Sequence, residues 1–234
     1  MAWDLIDTAE LADGELALYR QGDHSSGEVF MIRVNGLELM NGFGHQSETV
    51  LGEMAVAVAK VPAPHILIGG LGLGYTLAAT AAALKGAGHI TVAELSPKVI
   101  EWFDRHVSAS VLPERPLNLA IVPGDIGAFV RGRDVGPFDV IVLDVDNGPE
   151  ALVSPQNAHL YSAEGLHAFA AKLSPNGVIL LWSAFEAPAF VALAEGAGFT
   201  VSSTALAAVR RPDLLHYAYV LEPSHHFGPR QRSR

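Results

Sequence analysis

His65-Ile-Leu-Ile-Gly-Gly-Leu-Gly-Leu-Gly-Tyr-Thr-Leu77, with Ala93-Glu94-Leu95 soon after, is the stretch whose reading decides the fold. Ile66 to Ile68 form an apolar run without alternation, as expected of a parallel strand covered on both faces. Gly69, Gly70, Gly72 and Gly74 then let the backbone turn sharply and leave space beside it. From Tyr75 to Leu84 small residues allow a helix to lie close on a sheet, and His89 to Glu94 is a second apolar strand ending in an acid. Strand, glycine turn, helix and strand make one βαβ unit of a doubly wound α/β fold.

In such a unit the helix aims its N-terminal N–H groups into a crevice at the strand ends, and an acid on the second strand accepts hydrogen bonds from ribose hydroxyls. Glu94, twenty residues past Gly74, is placed for that role. A dinucleotide fingerprint starting at Gly70 needs its third glycine where Tyr75 stands, which disfavours a nicotinamide-dependent oxidoreductase. Gly70, Gly72 and Gly74 instead give G-x-G-x-G, a spacing that resembles the class I S-adenosylmethionine-dependent methyltransferases, although Ile68 sits where many of them carry an acid. A tight strand-to-helix turn without a ligand is the alternative reading of the glycines.

Composition narrows the function classes. The 234 residues suffice for one large domain with a small appendage, and 50% hydrophobic content with 17% charge excludes general disorder. A net charge of −10 disfavours a nucleic-acid partner and suits a cationic or neutral substrate. Cysteine is absent, which removes disulfides, thiolate metal sites and cysteine nucleophiles and makes a cytoplasmic location the simplest expectation. Asp4, Asp7, Glu10 and Asp13 interrupt any secretory leader. Val61 to Leu84 carries no charge, but its prolines and glycines break it, so no membrane span is expected. His225-His226 lacks companion ligands, so no metal is expected.

Residues 1–55 read as a small β unit, residues 56–223 as the α/β domain and residues 224–234 as a flexible basic tail. Glu15 to Arg20 is a strand, and Val29 to Val34, Asn35-Gly36 and Leu37 to Met40 form a hairpin with a type I′ turn. Asp23 to Gly27, with a solvated His24, is the loop between the first two strands. A polar junction with His45 and Gln46, either of which could face the crevice, leads into a helix from Glu48 to about Lys60, with Ser47 as N-cap. Ser96-Pro97 opens the helix after Glu94, and Leu117 to Val122 is the next strand. Asp125 beyond it can reach an adenine amino group or cap the following helix.

Phe138 to Asp144 is the clearest strand, and its exit, Asp144-Val-Asp146-Asn147-Gly148-Pro149, lies by topology over the same crevice. One of these two acids can deprotonate an incoming amine or hydroxyl while the other holds its charge; an Asx-type turn is the alternative. A helix opens at Leu160 to Glu164 with Ser162 as N-cap and runs to Leu173, where Ser174-Pro-Asn-Gly177 stops it. A strand at Val178 to Trp182 and a helix from Phe190 to Ala197 follow. The last two strands, Phe199 to Ala208 and Leu214 to Leu221, are joined by the short turn Arg210 to Asp213 and must run antiparallel.

Several of these segments together resemble the spermidine synthase family of aminopropyltransferases: Ile-Leu-Ile-Gly-Gly at 66–70, Val-Ala-Glu-Leu-Ser-Pro at 92–97, Gly124-Asp125, Phe138 to Asp144, Gly148-Pro149, Leu160 to Glu164, and Ser174 to Leu180. The resemblance implies a Rossmann-like, methyltransferase-type sheet ending in an antiparallel hairpin, with a small N-terminal β unit. It implies that Glu94 binds ribose, Asp125 contacts adenine and Asp144 prepares the acceptor amine. Asp146 matches a second acid across a one-residue gap. It also suggests a homodimer.

The chain departs from the family where a polyamine would bind. Gly72 stands in place of the acid in Gly-Gly-Gly-Asp-Gly-Gly, and Leu51-Gly52-Glu53-Met54 replaces Tyr-His-Glu-Met. Trp182 replaces a polar residue, and the C-terminal Tyr-Pro-x-Gly segment is missing. A polyamine needs several carboxylates and aromatics along its length. The expectation is therefore a transferase that binds S-adenosylmethionine, its decarboxylated form or methylthioadenosine through Gly69, Gly70, Gly72, Gly74, Glu94, Asp125 and Gln46, with Asp144 and Asp146 catalytic. Methyl transfer to a small acceptor is placed slightly ahead of aminopropyl transfer, and a non-catalytic nucleoside-binding protein is the alternative from another class.

Overall fold

The computed structural model describes residues 2–11, 14–23, 27–152, 154–208 and 211–224. His24, Arg210 and the tail carrying His225-His226 lie outside the described residues. The quoted apolar run forms β5 (His65–Gly69), an interior strand of a seven-stranded sheet. Parallel to it lie β6 (His89–Glu94) and then β7 (Leu119–Pro123) on one side, and β8 (Phe138–Leu143) and β9 (Leu173–Ser183) on the other. Two more strands, β10 (Phe199–Ala208) and β11 (Arg211–Pro223), close the β9 side, giving the order β10-β11-β9-β8-β5-β6-β7. β11 runs antiparallel to both neighbours, as the short connection requires.

Alternate residues of the central strands point to opposite faces, and both faces are covered. Ile66, Ile68, Val140 and Val142 enter one core with Leu51 of α1 (Gln46–Ala57), Leu77 of α2 (Tyr75–Leu84) and Val99 of α3 (Pro97–Trp102). Leu67, Ile141 and Leu143 enter the other with Ile126 of α5 (Ile126–Val130), Leu166 of α6 (Ala163–Ala170) and Phe190 of α7 (Pro188–Gly196). Each such side chain contributes about 1.5–3 kcal/mol by leaving water. Among the described residues no helix is long and apolar enough to cross a membrane.

The N-terminal sheet is an antiparallel meander of β1 (Asp4–Leu11), β2 (Gly14–Asp23), β3 (Gly27–Val34) and β4 (Leu37–Asn41). Asn35 and Gly36 both have positive φ, 51° and 77°, as a type I′ turn demands. β1 is an addition to the sequence reading, where its acids hid it. One of these, Asp7, pairs with Lys98 (2.8 Å) and accepts a hydrogen bond from the Trp102 indole (2.9 Å), which together draw its pKa down to about 2. Trp102→Phe therefore leaves the core filled but unfastens β1, and hydrogen exchange of the 4–11 amides is expected to accelerate while that of β5 does not change.

The Ser47 cap and the bounds of the helix expected from Leu160 to Leu173 are corrected, and two further details are added. α1 starts at Gln46 with His45 as its N-cap residue, so Ser47 lies inside the helix with its hydroxyl committed to Glu48 and His216. α3 continues through a π-helical turn (Phe103–Val107) into α4 (Ser108–Val111). The segment before α6 begins as a 3-10 turn (Pro155–Tyr161), with Ser162 capping α6 itself through Gly165 N–H at 3.0 Å. That helix ends at Ala170, and β9 then takes in Ser174 to Gly177, with Asn176 at φ 66°.

Candidate functional site

A cavity of about 880 Å³ opens at the carboxyl ends of β5, β6, β7 and β8, with Leu16, Ile32, Val34 and Met40 of the N-terminal sheet among the residues of its wall. A doubly wound sheet leaves its crevice there, where the strand order reverses. Gly70 and Gly72 line it. Gly70 has φ 92° and lies so close to the Asp144 carbonyl oxygen that any Cβ would collide with it. Gly72, at φ 51°, holds the Met40 thioether where a Cβ would stand, and the same sulfur accepts the Leu73 N–H at 3.1 Å. Gly69 and Gly74 sit behind the surface, packed on Ile126 and Phe103.

Glu94 is 8% exposed, and what it exposes faces this cavity. Its oxygens accept the Leu71 and Ser96 N–H groups, each at 2.8 Å, and Gly72 N–H also contributes. Burial raises its pKa against those bonds. A carboxylate offers about four acceptor positions, so three backbone donors still leave one for a ligand hydroxyl. Glu94 thus holds the glycine turn in shape from the neighbouring strand. Asp125 caps α5 through Ala128 N–H (2.7 Å) and also lines the cavity.

Across the cavity, Asp144 accepts a 2.6 Å hydrogen bond from the Thr76 hydroxyl. It is crowded by protein atoms except toward the cavity; this desolvation, with the Glu48 carboxylate nearby, outweighs the hydroxyl and pushes its pKa up to about 7. Glu48 lines the same cavity, and burial raises its pKa too, opposed chiefly by the Ser47 hydroxyl at 2.5 Å. Asp146, at φ 63°, also reaches the wall. One of its oxygens takes Asn147 N–H (2.8 Å), and the other takes Ser154 N–H (2.9 Å) and the Asn157 amide (3.0 Å). Its carboxylate ties down the 147–157 loop, an Asx-like arrangement. Gln46 opens α1 and is not among the lining residues.

The departures from the family motif have a packing cause. Leu51 is buried and Gly52 lets α1 approach α2, because a Cβ there would strike Thr76 O and Ala79 Cβ at 2.5 and 2.6 Å. Glu53 is exposed and does not line the cavity. Glu48, which the sequence reading named only as the start of the helix, faces inward. The missed signal was its spacing, three and four residues before the buried Leu51 and Gly52. Trp182 also lines the cavity; it is nine-tenths buried, and its indole N–H has no hydrogen-bond partner.

No protein-family model and no curated protein matches the sequence. Solved structures do. A spermidine synthase in complex with the transition-state analogue AdoDATO superposes with a TM-score of 0.66 at 16% identity, covering 95% of this chain and 73% of that one. The spermidine synthase from Thermotoga maritima gives 0.68 at 17%, with the same coverage. A probable spermidine synthase from Corynebacterium glutamicum gives 0.66 at 16%, covering 94% of this chain and 80% of that one. The chain has the fold of the spermidine synthases, N-terminal sheet included.

Proposed function

We propose that the protein transfers an aminopropyl group from decarboxylated S-adenosylmethionine to an amine, with Asp144 as the acceptor base. The observation that carries this reading is the placement of Asp144 and Glu48 on the same cavity as Glu94. The cavity fits an adenosyl group: Gly70 leaves the wall bare beside the β5 end, Glu94 keeps an acceptor position free, and Trp182 offers an unpaired donor. When bound, the donor supplies a carbon activated by its sulfonium, which leaves as a thioether. The protein aligns the amine, excludes water and takes one proton from the attacking nitrogen at Asp144. A base titrating near 7 suits that task at neutral pH.

This reverses the order placed on the two reactions from sequence. The lost Tyr-His-Glu-Met motif spoke for methyl transfer, but the matched structures are spermidine synthases and Glu48 supplies a carboxylate at the cavity that Glu53 does not. One observation keeps methyl transfer as the second reading: Met40 covers Gly72, which stands at the place of the family's substrate-holding acid.

Calorimetry with decarboxylated S-adenosylmethionine, S-adenosylmethionine, methylthioadenosine and NAD tests the proposal, followed by assay of methylthioadenosine release with mono- and diamines. Binding of the decarboxylated donor with amine-dependent release supports it; binding of S-adenosylmethionine alone replaces it with methyl transfer. Glu94→Gln, which keeps the shape and loses the charge, is expected to weaken donor binding about 10- to 100-fold in the same titration.

A further inference from the structure

Two groups behind the cavity wall, Ser47 and His216, form a chain to Glu48 that the proposed reaction does not use. The Ser47 hydroxyl donates to Glu48 Oε2 at 2.5 Å, and His216 Nδ1 lies 2.8 Å from the Ser47 Oγ. A hydroxyl has one proton to give; because Ser47 gives it to Glu48, its oxygen accepts from His216, which places the imidazole proton on Nδ1. Ser47 is 2% exposed, so water does not substitute for either partner. The His216 ring is held edge-on to Trp182 at 5.0 Å, and β11 brings it against Ser47 of α1. Inside a helix, Ser47 gains nothing for the backbone from this arrangement, since it caps nothing.

We propose that Ser47 and His216 are positioning residues that keep Glu48 ionised and thereby set the proton affinity of Asp144. The role assigned to Asp144 rests on the function proposed above; the coupling between the two carboxylates does not. Two neighbouring carboxyls that share a desolvated site resist holding two negative charges, so fixing the charge on one keeps a proton on the other to higher pH. The Ser47 hydroxyl is bonded to Glu48 and the Thr76 hydroxyl to Asp144, and of these Ser47 alone is backed by a second donor. The other titratable groups facing the pair are His45 and Tyr75 beside Glu48, and Asp146 and Tyr161 beyond Asp144. None of them bonds to the Ser47 hydroxyl.

The test is a carboxyl-carbon NMR titration of Asp144 in the isotopically labelled full chain, alongside the pH profile of kcat/KM for amine turnover. In Ser47→Ala, Glu48 takes the proton more readily, and the Asp144 midpoint is expected to move about one pH unit lower. Glu48→Gln removes the neighbouring charge outright and moves it in the same direction. Ser47→Thr retains the hydroxyl and the parent midpoint. The acid limb of the rate profile follows the midpoint. An Asp144 midpoint that stays put in both Ser47→Ala and Glu48→Gln, in folded protein, overturns the inference even if turnover is present. Midpoints that move in a protein with no amine turnover uphold the coupling and reject the acceptor-base reading instead.

Discussion

Asp144→Asn is expected to fold, to bind the donor and to lose about 10²- to 10⁴-fold in kcat, because the amide keeps the Thr76 hydrogen bond but cannot take a proton. In the parent protein, kcat/KM is expected to fall as pH drops below about 7, where the proposed base becomes protonated. Stability moves the opposite way. The folded protein holds the Asp144 proton up to about 7 while the unfolded chain releases it near 3.8, so this group's contribution declines as pH rises through that window. Asn carries no such penalty. At pH 8 the variant should be more stable than the parent by roughly 1–3 kcal/mol, discounted for the side chain's face on the cavity, and equal to it near pH 4. A variant that keeps parental kcat in the amine assay would remove Asp144 from the mechanism.

The second large effect belongs to Gly70→Ala. A left-handed φ of 92° costs a residue with a Cβ about 1–2 kcal/mol, and the collision with the Asp144 carbonyl adds about 1–3 more by overpacking. At this chain length the sum is a drop in melting temperature of roughly 5–15 °C. Gly86→Ala is the control: it has φ 85° but nothing within 4 Å of the added Cβ, so it should pay the conformational part alone. Equal melting temperatures for the two variants would mean that the close approach of β5 and β8 at Gly70 is not a constraint. Because that approach also sets the position of Asp144, turnover should fall in Gly70→Ala and not in Gly86→Ala.

Much of the fold was legible because the relevant signals are local. Unbroken apolar runs mark strands covered on both faces, Asn35-Gly36 permits few turns but a type I′ one, and a connection as short as 209–210 forces β10 and β11 antiparallel. β1 was illegible because Asp4, Asp7 and Glu10 mask the pattern, and its anchor, Trp102, lies 95 residues from Asp7 in sequence. The candidate site divides the same way. The glycine turn, Glu94, Asp125 and Asp144 lie at strand ends, where topology alone puts them on one crevice. Glu48, Met40 and Trp182 reach it from elements whose docking depends on tertiary packing, including the Gly52 contact between α1 and α2. Ser47 was misplaced because a helix start allows a shift of a residue or two, which turned a buried link into an apparent cap.

β11 follows β10 in sequence yet lies between β10 and β9. During synthesis the edge of β9 therefore waits with unpaired N–H and C=O groups until residues 211–223 are added, a surface open to pairing with another nascent chain. His216 arrives with that same strand. The molecule completes its sheet and the last link behind Glu48 in one event, so an incompletely made or C-terminally clipped copy is exposed to aggregation at the very stage at which its acid pair lacks its final proton donor.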